Sequence, residues 1–141
     1  MDINEFFKNK NNLKDAIIVI SGKDNVGRYI AKFTEKDNLG IKLNAGFRES
    51  YIAVIDNNRK FMWENNDSKL QDISYQVGDK FIDVISAGFD AGNVSSIKIR
   101  NNEYSLNHRG LNFAIFHYKS LVLLDNFYVD THQDETLKVV R

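Results

Sequence analysis

The feature that most constrains this chain is a recurrence of short β-branched or alternating runs, each closed by asparagine or glycine. Ala16 to Ile20 is a five-residue apolar run bounded by Asp15 and by Ser21-Gly22, which reads as a buried strand. "ESYIAVIDNNRKFMWE" reads as a strand, a turn at Asn57-Asn58 and a second strand. In "SSIKIRNNEYSL", Ile97 and Ile99 alternate with Lys98 and Arg100 before Asn101-Asn102, a hairpin signal. "GLNFAIFHYKSLVLLDNFYVDTH" is another hairpin, turning around Tyr118 to Ser120. "DKFIDVISAGFDAGN" alternates and then bends at glycine. Strands that follow one another through tight turns pair antiparallel.

Helical signals are fewer. "MDINEFFKNK" opens with a capping box, in which Asp2 caps and Glu5 reaches back, and Ile3, Phe6 and Phe7 share a face. "NVGRYIAKFTEKDNLG" spaces Val26, Tyr29, Ile30 and Phe33 as one helical face, with Gly40 as its stop. Asn65 to Lys69 reads as a polar loop, and the last residues read as frayed. Roughly eight strands and two helices predict a single α+β domain over residues 1–141. Its expected architecture is two packed, twisted, mainly antiparallel sheets, sandwich-like, with about two helices.

Composition excludes several function classes. The 19 basic and 19 acidic residues balance, and no basic run interleaves with aromatics, so no nucleic-acid partner is expected. Without cysteine there is no disulfide scaffold, thiol nucleophile or cysteine zinc site. No apolar stretch has the length of a membrane span and the N-terminus does not resemble a signal peptide, so a soluble chain of undetermined compartment is expected. The absence of proline and the abundance of Asn and Lys match an AT-rich coding sequence, as in some bacteria and phages.

"SGKDNVG" lacks the spacing of a phosphate loop, and Asp24 reads instead as a helix N-cap. His108, His117 and His132 have no metal-ligand spacing. Asp130 and His132 share a strand face, but no nucleophile accompanies them, and no metal or cofactor is expected. Asp24, Asp90, Asp125 and Asp130 are carboxylates available to a glycan-acting enzyme, though nothing fixes a separation between any two.

Two arginines stand on glycine bends at strand mouths. One is Arg109, before Gly110; the other is Arg48, after Gly46-Phe47. With Asp24 at a third strand end, they combine guanidinium donors with a carboxylate acceptor, a mix that suits a polyhydroxylated ligand. Trp63, with Phe61 and Met62, offers either a sugar-stacking platform or the closure of a core edge.

At these residues the chain resembles the interleukin-like EMT inducer (ILEI/PANDER) family, whose fold also serves as the sugar-binding stem domain of the protein O-mannose N-acetylglucosaminyltransferase. "DVISAGFDAGNVSSIKIRNNEYSLNHRGLNFAIFHY" and "DNFYVDTH" are similar to the family's first half. "INEFFKNKNNLKDAIIVISGKDNVGRYIAKFTEKDNLG" and "LNAGFRESYIAVID" are similar to its second half. The order is reversed, so the resemblance implies a circular permutant, whose termini must be adjacent. It also implies a sugar held by Arg109, Asp24 and Arg48, with Phe47, Tyr51 or Trp63 as a stacking face. Glu49 and Tyr51 replace the family's Asp and Trp.

The resulting expectation is a non-catalytic, lectin-like module of a phage or bacterial surface structure, binding a glycan or polysaccharide. One shallow site binds weakly, so several copies, as in an oligomer, would supply avidity. The alternative is a protein-interaction or host-factor inhibitor module on the same fold, and a glycan-acting enzyme is a third reading. A structural reading competes for the arginines: a buried arginine paired with Asp24 would join the two halves.

Overall fold

The computed structural model describes residues 1–8 and 13–141. The end of the opening 1–10 segment therefore lies partly outside the described residues. Within them the capping box forms as expected. The Glu5 N–H donates to Asp2 Oδ1 at 2.9 Å, and the Asp2 N–H reaches Glu5 Oε1 at 3.4 Å. Helix α1 spans Ile3–Lys8 and buries Ile3 and Phe6.

The molecule is a sheet-rich α+β fold built on one large mixed sheet, of nine strands among the described residues. They are β1 (Ala16–Asp24), β2 (Ser50–Asp56), β3 (Phe61–Asp67), β4 (Gln71–Val77), β5 (Lys80–Gly88), β6 (Val94–Ile99), β7 (Asn102–Glu103), β8 (Gly110–His117) and β9 (Leu123–Val129). The hairpins read from the sequence are present: β2 with β3, β6 with β7, and β8 with β9.

Strand β1 organises the rest. One edge pairs antiparallel with β8 from Ala16 to Lys23. The other edge pairs with β2 from Ile17 to Ser21, then with β5 in parallel at Lys23 and Asp24. Where β1 exchanges β2 for β5, serine hydroxyls take up carbonyls. Ser21 Oγ donates to the Ile85 carbonyl at 2.7 Å, and Ser86 Oγ to the Gly22 carbonyl at 2.5 Å. Ser86 Oγ in turn accepts from the Tyr51 N–H. These serines are fully buried, and pairing them avoids the cost of orphaned polar groups.

Alternation along β1 feeds two cores. Ile18 and Ile20 pack with Tyr51, Ile55, Phe113 and Phe127, under Phe6 and Phe33. Ile17 and Val19 pack with Val54, Ile82, Val84, Ile97 and Phe116. A strand buried on both faces must be apolar throughout, which is why Ala16 to Ile20 does not alternate.

Four expectations are corrected. Residues 25–40 are not one helix. They form a short 3₁₀ turn at Ile30–Lys32 and a one-turn α2, Lys36–Leu39, stopped at left-handed Gly40. Asn25 Oδ1 accepts the Gly27 N–H, and the Tyr29 N–H goes to the Thr131 carbonyl, so the chain is tied elsewhere before a helical ladder can start. Gly27 adds a helix cost of about 1 kcal/mol. Val26 and Phe33 are buried all the same. Secondly, Asn65 to Lys69 is not all loop. β3 runs to Asp67, and β4, unforeseen, follows at Gln71. Asn65 and Gln71 link them by an amide hydrogen bond of 3.0 Å.

Thirdly, the C-terminal residues are held. Leu137 is buried, the Ile3 N–H donates to its carbonyl, and Val140 exchanges hydrogen bonds with Tyr128. The Val139 N–H donates to the Met1 carbonyl, so the two termini lie side by side. Fourthly, Asp24 caps no helix: it ends β1 in the left-handed region, with φ at 65°. No helix among the described residues is long and apolar enough to cross a membrane.

Candidate functional site

The three polar residues singled out from the sequence gather at one end of β1. Asp24 is opposite Gly88, and Lys23 is opposite Gly110. A Cβ on Gly88 would stand 1.7 Å from the Arg48 carbonyl oxygen, so the Arg48 backbone rests directly on that glycine. From Gly88 across the end of β1 to Gly110 is two strand spacings, roughly 10 Å, and Arg48 rests on the sheet face at Gly88.

Gly110 has φ at 98°, and a Cβ there would lie 2.4 Å from the Val129 carbonyl oxygen. Both facts require glycine. The bend before it is clamped by Asn112, fully buried, which accepts from the His108 N–H at 2.9 Å and donates to the His108 carbonyl at 2.8 Å. His108 stacks on Tyr128 with ring centroids 3.8 Å apart.

Arg109 therefore has a fixed origin, and its guanidinium goes to Asp130, not to Asp24. Nη2 donates to Oδ2 at 2.7 Å, and Nε lies 3.2 Å from both carboxylate oxygens. Asp130 Oδ1 also accepts the N–H groups of His132 and Gln133. Burial opposes ionisation of Asp130, but the Arg109 hydrogen bond and these N–H donors outweigh it and hold its carboxyl below the usual range. Hydrogen bonding to Asp130 raises the Arg109 pKa, and the Asp24 charge adds to that. The structural pairing imagined for Arg109 is thus real in kind but made with a different carboxylate.

Arg48 is also strained at φ 55°, where its neighbour's turn, closed by the Gly46 N–H to Glu49 Oε1, leaves it. Its guanidinium carbon lies 4.8 Å from the Phe47 ring centroid and 4.4 Å from that of Phe89. An exposed contact of 3.4 Å links it to Asp90. Phe47 is 73% exposed and Phe89 49%, so these rings remain open to solvent.

Beside this group is a cleft of about 420 Å³ formed by the segments Asn25–Arg28, Ala45–Phe47 and His132. Phe47 lines it; Arg109, Asp24 and Arg48 do not. Arg28 makes no ion pair among the described residues and lies 5.1 Å over the Tyr29 ring. His132 Nδ1 is buried without a hydrogen-bond partner, as is Thr131 Oγ1. The cleft thus joins an open ring to a guanidinium without an ion pair among the described residues, with His132 as part of its wall. Arg28 and His132 were missed as ligand residues. No local sequence signal could have found them, because the Tyr29 to Thr131 hydrogen bond that brings the two segments together joins residues far apart in the chain.

Two expected stacking residues are not available here. Tyr51 is 1% exposed, because alternation along β2 places it with Ala53 and Ile55 in the core. Its hydroxyl donates to Glu64 Oε2 at 2.7 Å, and burial, then this carboxylate, pushes its pKa up. Trp63 is half-buried in a separate groove of about 200 Å³, with Phe61, Ile73 and Tyr75.

Asp125 pairs with Arg141, and Asp130 with Arg109, so neither stands beside His132 as a free carboxylate. Among the described residues no three His, Asp or Glu side chains cluster as metal ligands. No family model, no curated protein and no solved structure matches the chain.

Proposed function

We propose that this end of the molecule is a non-catalytic glycan-binding site centred on the cleft beside Phe47. The observation that carries the reading is a solvent-open aromatic ring, Phe47, in one cleft with Arg28, which makes no ion pair among the described residues. A sugar presents C–H faces to a ring and hydroxyls to a guanidinium. Arg48 and Asp24 flank the cleft as donor and acceptor. Arg109 serves by fixing the Asp130 turn that carries His132. The pairing of Asp90, Asp125 and Asp130 with arginines favours binding over hydrolysis.

The finer view of the fold, two packed sheets in a permuted ILEI-type order, belongs to the same proposal. It is supported by the second core between β1, β2 and β5, β6, and by the hydrogen-bonded termini. A glycan array on the purified protein tests the function. Binding that is lost in Phe47→Ala and Arg28→Gln, with melting unchanged, is expected; an array blank at high protein density overturns it.

A protein-interaction role is the second reading, and one observation favours it: the exposed Phe47, Arg48, Phe89 stack. Aromatic rings and arginine dominate interface hot spots. A stoichiometric protein partner released by Phe89→Ala, together with a blank array, would select this role.

A further inference from the structure

The opposite end of the sheet carries a charge asymmetry that the balanced composition hides. Four turns meet there: residues 57–60 between β2 and β3, Gly78-Asp79 between β4 and β5, Arg100-Asn101 between β6 and β7, and 118–122 between β8 and β9. They enclose two adjoining clefts that share Lys80. The larger, about 540 Å³, is lined by Arg59, Asp79, Lys80, Tyr118 and Lys119 among others. The smaller, about 190 Å³, adds Arg100.

Asp79 is the one carboxylate in the two linings. Arg59 is oriented and neutralised by buried Asp56, through Nη1 to Oδ2 at 2.8 Å and its N–H to Oδ1 at 3.1 Å. Lys119 and Arg100 form no ion pair among the described residues, and Lys80 Nζ donates only to the Ser120 carbonyl at 3.1 Å. Lys60 extends the same face from the turn beside Arg59. With Arg59 neutralised, Lys60, Lys80, Arg100 and Lys119 against Asp79 alone in the two linings make a local positive field.

We propose that these joined clefts bind a polymer bearing sulfate or phosphate esters, an anionic polysaccharide. The cations sit on separate turns and do not converge on one point, which fits several anionic groups in series better than a single ion. Lysine contributes a point charge, so recognition is by summed charge and not by one bidentate fork. A single-stranded nucleic acid also needs free ring faces for its bases. The one ring lining these clefts, Tyr118, is packed against the core and tilted on His117 at 4.8 Å. Phe61 and Tyr75, in the neighbouring groove, spend a face on each other at 5.6 Å.

The test is fluorescence anisotropy with labelled dextran sulfate, neutral dextran and oligo(dT), at low and physiological salt. Dextran sulfate is expected to bind, to weaken steeply with salt, and to bind the Lys80→Gln/Lys119→Gln variant roughly tenfold less tightly, the scale of losing two partly screened charge contacts. Phe47→Ala and Arg28→Gln are expected to leave it unchanged, which separates this site from the first. An Arg100→Glu/Lys119→Glu variant, on exposed turns, checks the charge dependence if the first variant melts early. No binding at low salt, binding indifferent to both charge variants, or tighter binding of oligo(dT) would each overturn the proposal.

Discussion

Gly88→Ala is the sharpest test of how the site is held. Gly88 has φ −69° and ψ 178°, an ordinary extended conformation that alanine adopts without strain. Any effect must therefore come from space. The added Cβ would meet the Arg48 carbonyl oxygen at 1.7 Å and its carbon at 2.5 Å, whereas ordinary contact begins at 3.4 Å. Both neighbours are backbone, so no side-chain rotation relieves the clash, and the Arg48 turn must move off β5. Overpacking of this kind costs about 1–3 kcal/mol, offset by about 0.4–1 kcal/mol from a less flexible unfolded chain. A net loss of about 1–2 kcal/mol corresponds to a drop in Tm of roughly 3–7 °C for a chain of this length. Calorimetry gives that number. Amide exchange adds the location: faster exchange at Lys23, Asp24 and Gly88 than at the centre of β1. A variant melting within about 1 °C of the parent, with unchanged exchange there, would refute the account of Arg48 resting on Gly88.

Tyr51→Phe should cost about 2 kcal/mol, the scale of a hydrogen bond to a charged acceptor, with glycan binding intact. Glu64 keeps the N–H groups of Lys42 and Leu43, so chemical denaturation should show a lower midpoint without a change in slope. Leu137→Ala should cost about 3 kcal/mol, because the residue is buried in the main core; a cost near zero would return the C-terminal segment to the frayed class. Asp130, Asp56 and Asp134 all have carboxyls held below their ordinary values despite burial, by hydrogen bonds from Arg109, from Tyr75 and Arg59, and from Thr136 respectively. Their stabilisation is present above the unfolded value, about 3.9, and is lost as pH falls through the lower folded values. Melting followed from pH 7 downward should decline below about pH 4, and less so in Asp130→Asn.

Local chemistry made much of the sheet legible. Asparagine pairs marked hairpin turns, and Asp2 with Glu5 marked α1, because these signals act within a few residues. β4 was missed although Ile73, Tyr75 and Val77 alternate with Asp72, Ser74 and Gln76, the period of a half-buried strand. The apparent helix at 25–40 failed because spacing alone does not show that Tyr29 is bound to Thr131. Tyr51 was misplaced although alternation with Ala53 and Ile55 pointed inward. The Arg109 partner was within reach: the β8–β9 hairpin pairs Leu111 with Val129, which sets Arg109 beside the turn that begins at Asp130. Strand ends allowed Arg48, Asp24 and Arg109 to converge but did not require it, and the cleft beside them depends on distant loops.

The divided edge of β1 also dictates a timetable. Its residues are synthesised before their partners, so Ala16 to Lys23 wait for residues 110–117 to complete one edge and for 50–56 and 87–88 to complete the other. Such distant pairings make folding slow, on the order of milliseconds to seconds, since long loops must close before they are rewarded. Until β8 arrives, a fully apolar strand has an open flank. That interval, more than any weakness of the finished sheet, is where this chain is most exposed to aggregation.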